Sequence, residues 1–365
     1  MNRSAELIDV LVRAAYPILY VVSHEEDRVE AAITQIVDNR NKKAGTKADL
    51  WIWSATKGAT CKAKSIKQDH GPLQMLDFIE KSVTSGVFVL RDFGYFLNDG
   101  PAYQVQRALK DIATKFVTAG SGSVVIIIDS SADIPTRIEK IVTVVDFDLP
   151  TREELVEQLR PNVRNYPMLS RIDDQELDTL LAKGVECAMG LTLAEAENVF
   201  SKSLSMTGTI SPPVIVQDKK SIIRKSGVLE YYDVDSDMSA VGGLVNLKGW
   251  LDNRGKAFSK EARAYGLPTP KGVLLVGVPG TGKSLIAKCI GNQWGMPVLR
   301  MDIGALFGSL VGQSEANMRK ALKTAEAMAP CVLWIDELEK SLGSGGGSLD
   351  GGTTSRVFGN FLSWI

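Results

Sequence analysis

The residues best equipped for chemistry stand together in the run Gly277-Val278-Pro279-Gly280-Thr281-Gly282-Lys283-Ser284. It fits the phosphate-loop pattern GxxxxGK(S/T) at every fixed position. Glycines at these spacings let the backbone turn its N–H groups toward phosphate oxygens. A helix beginning there adds the partial positive charge of its N-terminus. Lys283 is then placed to reach the β- and γ-phosphates of a nucleoside triphosphate, and the Ser284 hydroxyl to bind Mg²⁺. A second chemical group follows downstream, where the apolar run Cys331-Val332-Leu333-Trp334-Ile335 ends in Asp336-Glu337. Asp336 suits the metal, directly or through water, and Glu337 suits polarising the attacking water of a phosphoryl transfer. A second carboxylate beside the metal carboxylate argues for hydrolysis over binding alone.

These groups act together only if the fold brings them to one edge. Residues 272–276 are short, apolar and bounded by glycine, which predicts a buried strand. After the loop, Leu285, Ile286, Cys289, Ile290 and Trp294 recur at helical spacing. Residues 331–335 predict a buried parallel strand, and its C-terminal end is where open α/β sheets place ligands. Strand, glycine loop and helix in that order turn a motif match into a site.

At this point the residues resemble AAA-type ATPases. Ser239-Ala240-Val241-Gly242-Gly243-Leu244 looks like the segment that cups adenine in that superfamily. Phe307-Gly308-Ser309-Leu310-Val311-Gly312-Gln313-Ser314-Glu315 looks like its pore-loop region, followed by a helix over 317–329 with Met318, Ala321, Leu322 and Ala325 on one face. With the stretch Ser355-Arg356-Val357-Phe358-Gly359, residues 239–365 are most similar to the AAA module of the uncharacterised chloroplast and cyanobacterial open-reading-frame type. The resemblance implies ATP and Mg²⁺ as ligands. It implies nucleotide contacts from Val241, Gly242, Gly277, Pro279, Gly280, Thr281, Gly282, Lys283, Ser284 and Leu285, metal ligation by Ser284 and Asp336, and catalysis by Glu337 with Lys283. Two departures stand out. Many AAA unfoldases carry an aromatic residue two positions before the pore-loop glycine, where this chain has Leu310, although Phe307 is close. An AAA core is also implied to continue with a polar sensor, an arginine finger and a helical lid. Here the sequence stops at Phe361-Leu362-Ser363-Trp364-Ile365, with no Gly or Pro to end a helix. The expectation is a C-terminally incomplete chain.

The first 210 residues predict strands at 18–22, 50–53, 86–90, 123–128 and 142–145, alternating with helices at 25–37, around 75–79 and at 105–117. That alternation indicates a parallel sheet covered on both faces, in the strand order of an AAA module. Asp148 to Leu155 and Gly190 to Asn198 resemble a helical lid. The nucleotide chemistry is missing, however. Ser23-His24-Glu25-Glu26-Asp27-Arg28 stands where the loop belongs, with neither glycine nor lysine, and Arg91-Asp92 replaces the acidic pair. Carboxylates at a phosphate-binding helix start would repel phosphate. His24 is read as a helix-start or surface residue.

The fold class expected is therefore α/β: a parallel-sheet P-loop module of AAA type, preceded by a degenerate AAA-like module with a small helical lid. The expected division is 1–210 (lid about 151–206), a linker over 211–235 around Pro212-Pro213 and Lys219-Lys220, and a truncated ATPase subdomain over 236–365. A length of 365 residues suits two domains, and a net charge of −1 gives no global nucleic-acid signal. A local basic patch (Arg40, Lys42, Lys43, Lys47, Lys57, Lys62, Lys64 and Lys67) lacks interleaved aromatics and reads as solvated loops. Cys61, Cys187, Cys289 and Cys331 have no CxxC spacing, so reduced thiols in a reducing compartment are expected, the cytoplasm or, for a plastid-encoded chain, the stroma. The Gly- and Ser-rich stretch 341–355 reads as mobile, a pore-facing loop or a solvated insertion. No apolar run reaches the roughly 18 residues a membrane helix needs. Two functions fit: an ATPase that remodels a macromolecule as a homo-oligomeric ring, its target a protein in preference to nucleic acid, or a regulatory scaffold in which slow hydrolysis acts as a timer. Nucleic-acid-stimulated hydrolysis is a variant of the first.

Overall fold

Five runs of Val, Ile, Leu and aromatic residues, too short for helices, set the frame of the N-terminal half as parallel strands. The computed structural model describes residues 3–44, 48–61, 66–68, 71–82, 86–100, 102–225, 227–232, 238–268, 270–278, 280–303, 313–336, 359 and 361–364. The chain divides into two units, Met1–Asp148 with Thr192–Ala194, and Leu149–Leu191 with Glu195–Ile365.

In the first unit the helices are α1 (Arg3–Arg13), α2 (Glu26–Ala44), α3 (Pro72–Lys81), α4 (Tyr95–Asn98) and α5 (Ala102–Ala119). They alternate with β1 (Ile18–Val22), β2 (Asp49–Ser54), β3 (Gly58–Cys61), β4 (Ile66–Gln68), β5 (Gly86–Arg91), β6 (Val124–Asp129) and β7 (Val142–Asp146). The sheet order is β4-β3-β2-β5-β6-β1-β7. The five predicted strands pair in parallel, with β1 flanked by β6 and β7. The sequence reading missed the antiparallel β3 and β4, which extend the β2 edge. They are short and mix Gly, Thr, Lys and Gln, so neither alternation nor an apolar run betrays them. Both faces of the sheet are covered, one by a cluster with Trp53, Phe88, Leu109 and Ile127, the other by one with Ile8, Val21, Ile33 and Ile126. Near-continuous burial of β1, β5 and β6 follows from that double cover.

The second unit opens with α6 (Arg152–Arg164), α7 (Asp174–Ala188), α8 (Leu193–Thr207, whose first two residues fall in the first unit) and α9 (Pro212–Lys225). Thr151 starts α6 with a capping box, its hydroxyl accepting from Glu154 N–H while the Glu154 carboxylate accepts from Thr151 N–H. Then come β8 (Leu229–Tyr232), α10 (Val245–Gly255), α11 (Lys260–Ala264), α12 (Lys283–Trp294), β9 (Val298–Met301), α13 (Gln313–Ala327) and β10 (Val332–Ile335). The sheet here is β10-β9-β8, with β10 parallel and β8 antiparallel to β9. Met318, Ala321, Leu322 and Ala325 of α13 are buried against Leu299 and Met301, as their spacing predicted.

Three expectations need correction. The linker expected over 211–235 contains α9, a packed helix with Ile215, Lys219 and Ile223 buried, and then β8. Pro212 and Pro213 occupy the first helical positions, where a missing N–H costs nothing, so they start a helix rather than mark a loop. Residues 272–276 do not form a strand, and Leu274 and Val276 are 76% and 85% exposed. In the first unit the opening strand β1 pairs only with β6 and β7, the last two of its sheet. Their counterparts here would follow β10 in the chain, and no such strand is among the described residues. Residues 272–276 thus have an apolar sequence and, among the described residues, no neighbouring strand to bond. β10, expected to be buried, is half-buried along its length.

Candidate active site

The loop reaches α12 through two glycines in the left-handed region, Gly280 (φ 83°) and Gly282 (φ 85°), conformations an L side chain rarely adopts. Gly282 caps the helix, with Ile286 N–H donating to its carbonyl at 3.0 Å. Within the loop the Thr281 hydroxyl donates to Val278 O at 2.9 Å. The Lys283 ammonium donates to Gly277 O and Val278 O, each at 2.8 Å. Lys283 is therefore stationed inside the turn, on bonds it could exchange for phosphate oxygens. Gly277, Val278 and Gly280 are exposed. Ser284 and Leu285 follow on the first turn of α12, half-buried, and Leu285 packs against the cluster of Val241, Leu251, Ile286, Cys289 and Ile290.

That cluster ties the expected adenine segment to the helix. Val241 is buried 4% exposed within it, while Gly242 is exposed beside it with open space at its Cα. The Lys248 ammonium donates to Val241 O and fixes the turn.

Asp336 is brought to the same end by chain direction. β10 starts beyond the far end of α12, where Val332 N–H donates to Pro297 O at 2.9 Å. Two residues on, Trp334 has the Lys288 ammonium 5.5 Å from its ring centre. The strand runs back along the helix, so Asp336, at its C-terminal end, lies toward Lys283 and Ser284. Pro279 and Glu337 lie outside the described residues, as do the pore-loop residues 307–312 and the stretch 341–355.

The corresponding edge of the first unit is filled by its own side chains. Arg91, at the end of β5, pairs with Glu30, with Glu26 at 3.4 Å and with Asp27 at 3.4 Å. These bonds hold the guanidinium firmly protonated, with the hydrogen bond to Glu30 the main cause. Burial, then the nearby Asp92 carboxylate, pushes the Glu26 carboxyl up. The Glu25 carboxylate accepts from Arg28 at 2.5 Å and from Leu193 N–H at 2.6 Å. Arg28 also donates to Asp148 O and lies over the Phe147 ring. His24 is exposed. Behind this edge Gly94 N–H donates to Asp129, and a Cβ on Gly94 would fall 2.3 Å from both Asp129 Oδ2 and the Tyr20 hydroxyl oxygen.

Residues 4–147 match the model for the N-terminal domain of SpoVK-like AAA ATPases, and 151–226 the second domain of the same family. Residues 273–365 match the ATPase family associated with various cellular activities, AAA. An uncharacterised AAA domain-containing protein ycf46 of Trieres chinensis is 36% identical over 371 residues, covering 100% of this chain and 71% of the relative. This chain belongs to the AAA ATPase family. Its counterpart in Guillardia theta is 36% identical over 367 residues, 98% of this chain and 68% of the relative. The AAA part alone has wider kin: an ATP-dependent zinc metalloprotease FTSH 6, chloroplastic, of rice is 38% identical over 99 residues, 27% of this chain and 14% of that protein.

Beside β10 the chain carries a row of aromatic and cationic side chains that no motif marks. Tyr232 of β8 meets Trp334 edge-on at 5.7 Å, Lys288 lies 4.4 Å from the Tyr232 ring centre, and Arg300 lies 5.3 Å from that of Trp334. The register pairs Glu230 with Arg300 and Arg300 with Trp334, so all three share one face. The ion pairs of Arg91 were visible only as charges of opposite sign at distant positions. Of the basic patch, Arg40 donates to Gly122 O at 3.2 Å and Lys42 and Lys57 are exposed.

Proposed function

We propose that this AAA protein binds and hydrolyses ATP with Mg²⁺ in its second half and couples turnover, as a homo-oligomeric ring, to the remodelling of a macromolecular target. The observation that carries the reading is the left-handed Gly280–Gly282 turn with Lys283 held at its centre. A Ser284 hydroxyl and an Asp336 carboxylate are the hard oxygen donors Mg²⁺ prefers, and the metal would supply charge neutralisation at the phosphates. Lys283 orients the β- and γ-phosphates, the loop N–H groups cradle them, and Val241 and Gly242 border the base. Glu337 takes the role of drawing a proton from water.

The first half serves as a non-hydrolysing module, because Arg91 and its three carboxylate partners occupy the edge where phosphate and metal would bind. Among the described residues no helix is long and apolar enough to cross a membrane, and we place the protein in the cytoplasm, or in the stroma where plastid-encoded. The ring is tested by ATP turnover per chain against protein concentration. A steep rise supports assembly of a site between neighbours, whereas brisk, concentration-independent turnover rules it out. Stimulation by unfolded protein, RNA or DNA would identify the target class, and turnover that stays slow with all three favours the scaffold reading.

A further inference from the structure

The run Ser23 to Arg28 carries a carboxylate that serves a helix other than its own. Glu25 stands just ahead of α2, where its N–H donates to Ser23 Oγ at 3.0 Å and its carbonyl accepts from Val29 N–H at 3.0 Å. With its backbone fixed on both sides, its side chain reaches a residue 168 positions away and accepts from Leu193 N–H at 2.6 Å. Leu193 is the first residue of α8, and the first four N–H groups of a helix have no partner within it. A carboxylate placed there gains a charge-assisted hydrogen bond and the favourable field of the helix N-terminus.

Arg28, on the first turn of α2, balances the charge and donates to the same carboxylate at 2.5 Å. The Glu25 and Arg28 side chains are only 8% and 12% exposed, so either one left alone would be costly. An exposed pair such as Arg13 and Asp9 contributes far less. Arg28 also donates to Asp148 O at 2.8 Å and lies 4.8 Å from the Phe147 ring centre. Asp148 is held in turn by Ser4: its N–H donates to Ser4 Oγ at 3.0 Å, and its carboxylate accepts from the Ser4 hydroxyl at 2.6 Å. Asp148 and Leu193 lie where the chain crosses the border of the first unit, which it leaves after Asp148 and re-enters only for Thr192–Ala194.

We propose that Glu25 is a built-in anion for α8, and that with Arg28 it forms a clasp fixing both chain crossings of the first unit without any bound ligand. A helix N-terminus beside an arginine is a ready place for an anion, and here the chain fills it from within. The clasp is independent of the ATPase reading of the second half.

Removing the carboxylate distinguishes an anion from mere packing. Glu25→Ala leaves the Leu193 N–H and the Arg28 guanidinium facing the space the carboxylate occupied, and a small carboxylate from solution should take it. Formate is the probe, because it carries the same charged group and little else. Chloride at equal ionic strength screens charge to the same degree but cannot bridge a backbone N–H and a guanidinium as a carboxylate does.

The test follows amide hydrogen exchange and melting temperature of the intact protein in sodium formate and in sodium chloride. In Glu25→Ala, exchange in the first turn of α8 should quicken about tenfold to a hundredfold, as loss of a hydrogen bond to a charged group implies, while β5 and β6 exchange as in wild type. Formate should slow that exchange again and raise the melting temperature of the variant, and should do neither in wild type. Glu25→Gln keeps a neutral acceptor in place and covers the case of an alanine variant that does not fold. Its exchange at the same turn should quicken roughly fivefold, with no response to formate because the space is filled. The proposal is overturned by unchanged exchange at the start of α8 in either folded variant, or by quickening that spreads equally over β5 and β6. It also falls if formate does not rescue Glu25→Ala, or if chloride rescues it equally well.

Discussion

At the scale of single residues the site separates holding from chemistry. Lys283→Ala removes a charged donor, and hydrogen bonds to charged groups contribute about 1.5–3 kcal/mol each. We expect a loss of roughly tenfold to a hundredfold in ATP affinity by calorimetry with Mg²⁺ present, with the melting temperature of the free protein unchanged. Equal affinity would remove Lys283 from the site. Glu337→Gln keeps size and one acceptor oxygen but takes no proton, so binding should persist while turnover falls by roughly 10²–10⁴. If both variants lose binding alike, Glu337 is structural. In the first half Gly94 is fixed by packing: Gly94→Ala drives a methyl into Asp129 and the buried Tyr20 hydroxyl, whose own proton is held tightly by burial and by Asp129. Overpacking of this kind costs about 1–3 kcal/mol, to be read as a lower midpoint in urea.

At the scale of elements, what could be read from the sequence depended on where each run finds its partner. β1, β5 and β6 are apolar on both faces because helices cover both, so composition alone identifies them. Helix α13 was legible from its spacing, and α6 only through the resemblance of Asp148 to Leu155 to a lid; the Thr151–Glu154 capping box that starts it should cost about 1 kcal/mol in thermal or urea unfolding when lost in Thr151→Ala. Residues 272–276 are apolar like β1 and still form no strand, since a strand is defined by neighbours and not by its own residues. Helix α9 was hidden for the opposite reason. Its two prolines and two lysines have the look of a connector, and only the i, i+4 spacing of Ile215, Lys219 and Ile223 gives the buried face away. In the candidate site the loop, helix and carboxylate strand were legible as motifs, whereas the Lys288, Tyr232, Trp334 and Arg300 row depends on register between strands far apart in sequence.

At the scale of the whole molecule one nucleotide should bind per chain. The first half neutralises its own edge with Arg91, Arg28 and four acidic side chains, Glu25, Glu26, Asp27 and Glu30. Calorimetric titration of the intact protein should therefore give a stoichiometry near one, and Lys283→Ala should leave no second, weaker site. Binding of a second equivalent would mean that the ion pairs yield to phosphate.

The antiparallel strand β8 has a practical consequence for anyone dissecting the protein. It lies on the outer side of β9 and covers backbone groups that would otherwise offer a ready template for another chain. A recombinant AAA fragment beginning after Tyr232 would carry β9 as a naked border, and its inclusion bodies would say nothing about the domain's intrinsic foldability. Starting the fragment ahead of α9 keeps that border sealed, and solubility on expression is the property that should respond first.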